Sequence, residues 1–282
     1  MDHDFWAPDM LIAVSSWSFH DDLYKGKLHL SDVPFRAYDL GYRAVELQDM
    51  FLWPRPPGRL RRLFGRKAEP VVPGQYDRKA LLRTHLNRHR SGTKLACWSI
   101  DSDLASEDVA AQKEYLAAAI EATHFINAPV IRLTLGGAKG DRAGFERAVE
   151  LLRNVLPVAM AFDLKLAIEN HGGLSSDPAT LIEFVERLHS PHVGVCLDFG
   201  NFDDLASAQK SIELLAPHAI HVHAKSRAFN DNGEEATIDY RACLSALKAA
   251  NYDGAISIEY EGDGDAATGI KRTRELIEKY GQ

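Results

Sequence analysis

The stretch LKLAIENHGG, from Leu164 to Gly173, is an apolar run that ends in an acid, an amide, a histidine and two glycines. The run itself has the length and composition of a strand that is covered on both faces, as in a parallel sheet. Its end carries Glu169 and His171, which are costly to bury without partners. In an α/β barrel, polar groups of this kind gather at the carboxyl ends of the strands.

Short apolar runs recur eight times along the chain and alternate with amphipathic helical patterns. The runs begin at Leu11, Ala44, Lys94, Val130, Leu164, Val193, Ala219 and Gly254. Eight strand–helix repeats in a chain of this length predict a single α/β domain, a (β/α)8 TIM barrel with parallel strands. A doubly wound open sheet is the alternative. It would be favoured by a glycine-rich turn after the first strand, and SSWSFHDD, from Ser15, has none.

The composition narrows the class of protein. The 282 residues are 45% hydrophobic and 26% charged, which is typical of a globular chain, and one barrel can span residues 1–282. The net charge of -7 argues against a nucleic-acid partner, which needs clustered basic residues. Three scattered cysteines indicate a reducing compartment, and no run approaches the ~20 apolar residues of a membrane span. The acidic N-terminus lacks a signal-peptide pattern, so we expect a cytoplasmic protein without a membrane partner.

One segment departs from the strand–helix rhythm. Residues 53–75, WPRPPGRLRRLFGRKAEPVVPGQ, follow the second apolar run and are rich in proline, glycine and arginine. We predict a long loop insertion between the second strand and the next helix, on the carboxyl face of the barrel. Its basic residues would attract an anionic ligand. A lid over the barrel mouth and an exposed or oligomer-contacting loop both remain open, and a homo-oligomer is compatible with the sequence.

Four polar residues stand at the ends of the last four predicted strands: Glu169, Asp198, His223 and Glu259. Their spacings are 29, 25 and 36 residues, each close to one strand–helix unit. Three carboxylates and an imidazole that converge would repel one another without a cation, so the pattern predicts a divalent metal ion. Oxygen-rich ligation suits Mn²⁺ or Mg²⁺, and the imidazole also allows Zn²⁺ or Co²⁺. For any single residue, a salt bridge or a helix cap at the rim is the alternative.

The segments AIENHGG, GVCLDFGN, HVHAKS and SIEYEG resemble the sugar phosphate isomerase/epimerase superfamily, the xylose isomerase-like TIM barrels. AVELQDMF and LACWSIDSDL resemble its second and third strands, so the resemblance spans nearly the whole chain. It implies one divalent ion, Mn²⁺ first, held by Glu169, Asp198, His223 and Glu259, and a carbohydrate-like small-molecule substrate. It also implies an isomerase or epimerase in which Glu169 and Glu259 move a proton through a metal-stabilised enediolate.

The resemblance leaves other activities open. Ketose epimerases of this type often carry histidine three residues after the metal-binding aspartate, and here that residue is Asn201, which cannot shuttle a proton. A metal-dependent lyase, such as an inosose-type or dehydroshikimate-type dehydratase, is the alternative. A zinc-dependent abasic-site endonuclease would need further histidine ligands and a basic groove. A barrel that binds ligands without catalysis is a third alternative.

Seven further residues are predicted to bind substrate: Trp17, Glu46, Trp98, Arg132, His171, Asn201 and Lys225. The two tryptophans would stack on the apolar face of a sugar, or else fill the rim. Glu46 would bind hydroxyl groups, or else pair with Arg132 across the barrel. His171 would contact substrate or orient the neighbouring glutamate, and Lys225 would meet an anionic group or remain solvated.

Overall fold

Eight parallel strands close into a barrel in the computed structural model, which describes residues 10–53, 72–202 and 205–281. The strands are β1 (Ile12–Ser15), β2 (Ala44–Gln48), β3 (Lys94–Ser99), β4 (Val130–Leu133), β5 (Lys165–Glu169), β6 (Val193–Asp198), β7 (Ala219–Ser226) and β8 (Ile256–Tyr260). Each strand pairs with its neighbours in sequence, and β8 pairs with β1. The predicted (β/α)8 barrel is therefore confirmed.

Nine α-helices surround the strands within the described ranges. They are α1 (His20–Tyr24), α2 (Val33–Asp39), α3 (Arg78–Ser91), α4 (Val109–Ile126), α5 (Arg142–Ala161), α6 (Pro178–Leu188), α7 (Leu205–Leu215), α8 (Tyr240–Ala249) and α9 (Ala266–Tyr280). None of these helices is long and apolar enough to cross a membrane.

An aspartate side chain caps the N-terminus of six of these helices. In each, the aspartate side chain accepts a hydrogen bond from a backbone N–H of the first turn, which satisfies a donor that the helix leaves free. The capping residues are Asp77, Asp108, Asp141, Asp177, Asp239 and Asp265. Each cap fixes where a helix starts after the loop that leaves a strand end. Most of the predicted loop at 53–75 lies outside the described residues.

Side chains in the strands alternate between the helix layer and the barrel interior. The outward set belongs to the main hydrophobic core between sheet and helices and includes Val45, Leu47, Leu166, Ile168, Val195, Leu197, Val222 and Ile258. The inward positions begin with small apolar groups such as Ala44, Ala167 and Cys196. Two residues further along the same strands stand Glu46, Glu169 and Asp198. The period of two therefore places the polar groups inside the barrel, at its carboxyl end.

Candidate metal and substrate site at the barrel mouth

The structure brings the four predicted ligands together. Glu169, Asp198, His223 and Glu259 are buried, and one ligand atom from each lies within 4.8 Å of the others. The Nδ1 atom of His223 is 2.7 Å from Glu169 Oε1 and 3.7 Å from both Asp198 Oδ2 and Glu259 Oε2. Three carboxylates from three different strands therefore surround one imidazole nitrogen.

This cluster fits a divalent ion. Asp198 Oδ2 is buried and accepts no hydrogen bond from the described residues, although it forms an ion pair with Lys225 Nζ at 3.2 Å. Three carboxylate oxygens and one imidazole nitrogen form a donor set that Mn²⁺, Mg²⁺, Co²⁺ and Zn²⁺ all accept. Burial disfavours the imidazolium form of His223, but the surrounding carboxylates outweigh it and raise its pKa well above the usual value. A metal ion would replace that proton, because ligands bind metals in their deprotonated form.

Arg132 of β4 neutralises one of the carboxylates. Its guanidinium donates to Glu169 Oε2 and, over 3.0 Å, to the carbonyl oxygen of Ile100. Burial alone would raise the pKa of Glu169, but the Arg132 charge holds that pKa below its usual value. The carboxylate is therefore ionised, as a metal ligand or a base requires.

Lys225 places a second cation among the ligands. Its Nζ atom is 3.2 Å from Asp198 Oδ2, 3.0 Å from Glu259 Oε2 and 3.1 Å from Glu261 Oε1. Gly200 makes room for the lysine stem, because a Cβ atom there would lie 2.9 Å from the Lys225 Cδ. The ammonium group thus joins two of the four ligands to a carboxylate at the rim.

A cavity of about 170 Å³ opens above the cluster. It is lined by Trp17, Gln48, Met50, Asp101, Arg132, His171, Lys225, Glu259 and Glu261. The Trp17 indole donates to Glu261 Oε1 over 2.8 Å, which fixes the ring at the rim. Most of the residues that line the cavity can donate or accept hydrogen bonds, and Trp17 contributes an aromatic ring. Such a lining suits a small polyhydroxylated molecule.

The structure places the seven residues predicted to bind substrate in three different surroundings. Trp17, Arg132, His171 and Lys225 line the cavity. Asn201 lies behind the lysine and accepts from its Nζ over 3.2 Å. The other two predicted residues are placed elsewhere.

Glu46 and Trp98, which are also predicted to bind substrate, are not among the residues that line the cavity. Trp98 is fully buried in the core between sheet and helices, where its ring meets Tyr76 at 6.0 Å. It alternates with the inward-facing Cys97 and Ser99, and therefore points outward. Glu46 faces inward but is fully buried below the mouth. The alternative for Glu46, a pair with Arg132, does not form: Arg132 contacts Glu169, and Glu46 contacts His221 and His223.

Several lining residues were not predicted. Glu261 stands two residues beyond Glu259 and shares its side of the strand, so the period of two was a usable signal. Met50 and Asp101 each follow the last residue of a strand by two positions. Loop residues of this kind carry no periodic signal, so only the structure assigns them to the cavity.

A buried aspartate supports the rim beside the cavity. Asp49 Oδ2 accepts hydrogen bonds from Tyr115 Oη at 2.8 Å, Tyr76 Oη at 2.9 Å and Trp53 Nε1 at 3.2 Å. Its Oδ1 atom has no partner among the described residues. Burial raises the pKa of Asp49 to about 7, despite the three donors. The cluster ties α4 to the segment that follows β2.

Comparison with known sequences assigns the barrel to a family. A model of the family described as xylose isomerase-like TIM barrel matches residues 35–280. The 3-oxo-isoapionate decarboxylase of Pectobacterium atrosepticum is 29% identical over 109 residues, which are 38% of this chain and 39% of that protein. The chain spans less than half the length of the curated relatives that it matches.

Solved structures share the fold over nearly the full chain. D-allulose 3-epimerase from Methylomonas sp., in complex with D-allulose, superposes with a TM-score of 0.72 and 14% identity, covering 98% of each chain. The probable 3-DHS dehydratase AsbF of Bacillus anthracis gives a TM-score of 0.68 and 16% identity, covering 95% of this chain and 99% of that one. At these identities the likeness concerns the fold.

Proposed function

Because the chain belongs to the xylose isomerase-like TIM barrel family, we propose that it is a divalent-metal-dependent isomerase or epimerase of a sugar or a sugar-like polyhydroxy ketone. The observation that carries this proposal is the buried cluster of Glu169, Asp198, His223 and Glu259 beneath a hydrogen-bonding cavity. The fold that the chain shares with D-allulose 3-epimerase adds support. Mn²⁺ is the proposed ion, and Mg²⁺, Co²⁺ and Zn²⁺ also suit the ligands.

When bound, the ion would stabilise the negative charge that develops on the substrate oxygens. The protein supplies the proton transfer. In this proposal the carboxylate of Glu259, which lines the cavity, takes a proton from a substrate carbon next to a carbonyl. Glu169 stands three strands away in the barrel, and therefore approaches the same mouth from another direction. One glutamate can remove the proton and the other can return it to the opposite face.

Other side chains orient the substrate. Trp17 offers an apolar ring to one face of a sugar, and its bond to Glu261 keeps that ring in place. Arg132, His171 and Lys225 reach the cavity with N–H groups that can donate to hydroxyl or carbonyl oxygens. Fixed donors in a buried site favour one orientation of the reacting carbon.

Solvent proton exchange tests the proposal. Ketoses, inosose-like ketones and sugar phosphates are incubated in D₂O with the Mn²⁺-loaded protein, and deuterium incorporation is followed by NMR. Glu169→Gln and Glu259→Gln should each slow exchange by about 10²–10⁴-fold, because each removes an acid/base group. Glu146→Gln, in an exposed ion pair with Arg187, is the matched control. Exchange that survives both active-site changes would rule out this proton-transfer role.

A metal-dependent lyase is the second candidate. It is favoured by Asn201, which stands where ketose epimerases of this type often carry histidine, and by the names of two relatives, a decarboxylase and a dehydratase. The first step would be shared, because loss of a proton or of CO₂ beside a carbonyl leaves the same kind of enolate. Net release of water in the exchange assay, or of CO₂ when a 3-keto acid is added to the substrates, would establish the lyase. Exchange without net elimination would exclude it.

A further inference from the structure

Glu46 binds both histidines of the HVH segment. It is fully buried in β2, and its Oε1 atom lies 2.9 Å from His223 Nε2 while its Oε2 atom lies 2.7 Å from His221 Nε2. Ser99 Oγ also donates to Oε1. An ionised carboxylate only accepts hydrogen bonds, so both imidazoles donate their Nε2–H groups to it.

These bonds determine which nitrogen of His223 is free for an ion. With Nε2–H given to Glu46, the Nδ1 atom is directed toward Glu169, Asp198 and Glu259. A histidine that ligates a metal ion commonly donates its other N–H to a carboxylate, which fixes the ring and strengthens it as a ligand. The geometry around His223 has this form.

The second histidine holds the carboxylate in place. His221 occupies Oε2 and contacts Ser257 Oγ at 3.1 Å, so the plane of the Glu46 carboxylate is fixed from two sides. Glu46 is three strands away from β7 around the barrel, and the bonds therefore cross the interior. Glu46 is not among the residues that line the cavity, and the atoms within hydrogen-bond distance of both its oxygens belong to His221, His223 and Ser99.

We infer that Glu46 is a positioning residue that orients His223 toward the metal ion, and that the His221 contact keeps Glu46 in that orientation. This inference rests on the metal site of the proposed function. It assigns to Glu46 a role in metal affinity and not in substrate binding.

Metal affinity of three variants tests the inference. The Mn²⁺ dissociation constant of the full metal-free chain is measured by calorimetry or by EPR of free Mn²⁺. Glu46→Ala should weaken binding by about 10–100-fold, the range found for such outer partners. Glu46→Gln should stay within roughly tenfold of the wild type, because its amide oxygen can still accept from Ser99 and His223. Thr123→Val is the matched control: it removes a buried hydrogen bond to the Ala119 carbonyl within α4, in the helix layer, and should leave the Mn²⁺ affinity unchanged.

The absorption spectrum of bound Co²⁺ gives a second readout. The spectrum reports the ligand field of the ion. It should therefore differ from the wild-type spectrum in Glu46→Ala and match it in Glu46→Gln. A general loss of stability would leave the spectrum unchanged. Circular dichroism checks folding. If Glu46→Ala does not fold, Glu46→Leu, which fills the space without an acceptor, replaces it.

The outcomes separate the two levels of inference. A wild-type chain that binds no Mn²⁺ would overturn the proposed function. Wild-type affinity in Glu46→Ala would overturn the positioning role and leave the metal site standing. Equal weakening of Mn²⁺ binding in Glu46→Gln and Glu46→Ala would show that the charge of Glu46, and not the orientation that it gives His223, determines the affinity. A second bound ion that disappears with Glu46 would make it a ligand with Cys97 and His221, whose ligand atoms lie within 4.8 Å of its own, and would contradict the inference.

Discussion

Replacement of Lys225 by methionine should destabilise the metal-free protein far more than the metal-loaded protein. The ammonium group is buried and lies within 3.2 Å of oxygens from Asp198, Glu259 and Glu261. Methionine keeps an unbranched apolar stem and removes the charge. Removing one partner of a buried ion pair costs about 3–5 kcal/mol, because the remaining charges stay buried without compensation. For a chain of this size, that corresponds to a fall in Tm of about 5–10 °C.

A bound divalent ion adds two positive charges to the same carboxylates, so it should recover part of this loss. By linkage, a change that destabilises the metal-free state more than the metal-loaded state must strengthen metal binding. If one to two kcal/mol is recovered, Mn²⁺ should bind roughly 5–30-fold more tightly to Lys225→Met than to the wild type. The direction of this change is unusual, because the replacement of a residue at the metal site raises the affinity for Mn²⁺.

Thermal melts with and without Mn²⁺, combined with calorimetric titration, measure both effects. Lys225→Arg keeps the charge and should stay near the wild type in affinity. Lys279→Met, which breaks an exposed pair with Glu234, is the control for a surface lysine and should cost at most about 1 kcal/mol. Weaker Mn²⁺ binding in Lys225→Met would refute the reasoning and show that the lysine arranges the ligands instead of balancing their charge.

Three further predictions concern the site and its supports. Removal of metal with a chelator should lower the Tm, and added Mn²⁺ should restore it; equal melting curves in both conditions would count against the metal site. Arg132→Met leaves the buried Glu169 carboxylate without its cation, so a loss of about 3–5 kcal/mol is expected in urea unfolding, and a loss below 1 kcal/mol would contradict the importance of this pair. The folded pKa of Asp49 is raised to about 7, so its contribution to stability is present below the unfolded value and is lost as the pH rises toward 7. Its slope is at most about 1.4 kcal/mol per pH unit between pH 4 and 7, and Asp49→Asn should remove that slope in urea unfolding at pH 5 and 7; an unchanged slope would be inconsistent with a buried, titrating Asp49.

The sequence was sufficient to predict the barrel and the convergence of four polar side chains at one end of it. Eight apolar runs define the strands, and observed strands begin within two residues of the predicted positions. Because side chains alternate along a strand, residues such as Glu169 and His223 can be assigned to one side of the sheet without coordinates. The closed parallel order then brings the strand ends together.

The sequence does not determine how deep inside the barrel a side chain lies. Alternation placed Glu46 on the inward side but not its height, which depends on the stagger between strands. In the barrel, β2 and β3 slip in register between Val45 and Glu46, and Glu46 pairs with Cys97. For the same reason, the sequence did not identify the ion-pair partner of Arg132. In the strand register Arg132 lies opposite Ala167, and Glu169 is two residues further along the neighbouring strand. Trp98 is different, since its alternation with Cys97 and Ser99 already indicated an outward side chain.

The aspartates that cap six of the helices carry a charge as well as a hydrogen-bond acceptor. Each follows a loop that leaves a strand end, so each lies at the end of a helix that points to the face carrying the cavity. The partial positive charge of a helix N-terminus stabilises such a carboxylate, and salt screens the attraction over about 10 Å at 0.1 M ionic strength. The helix starts that support the loops around the cavity should therefore lose part of their stability as ionic strength rises.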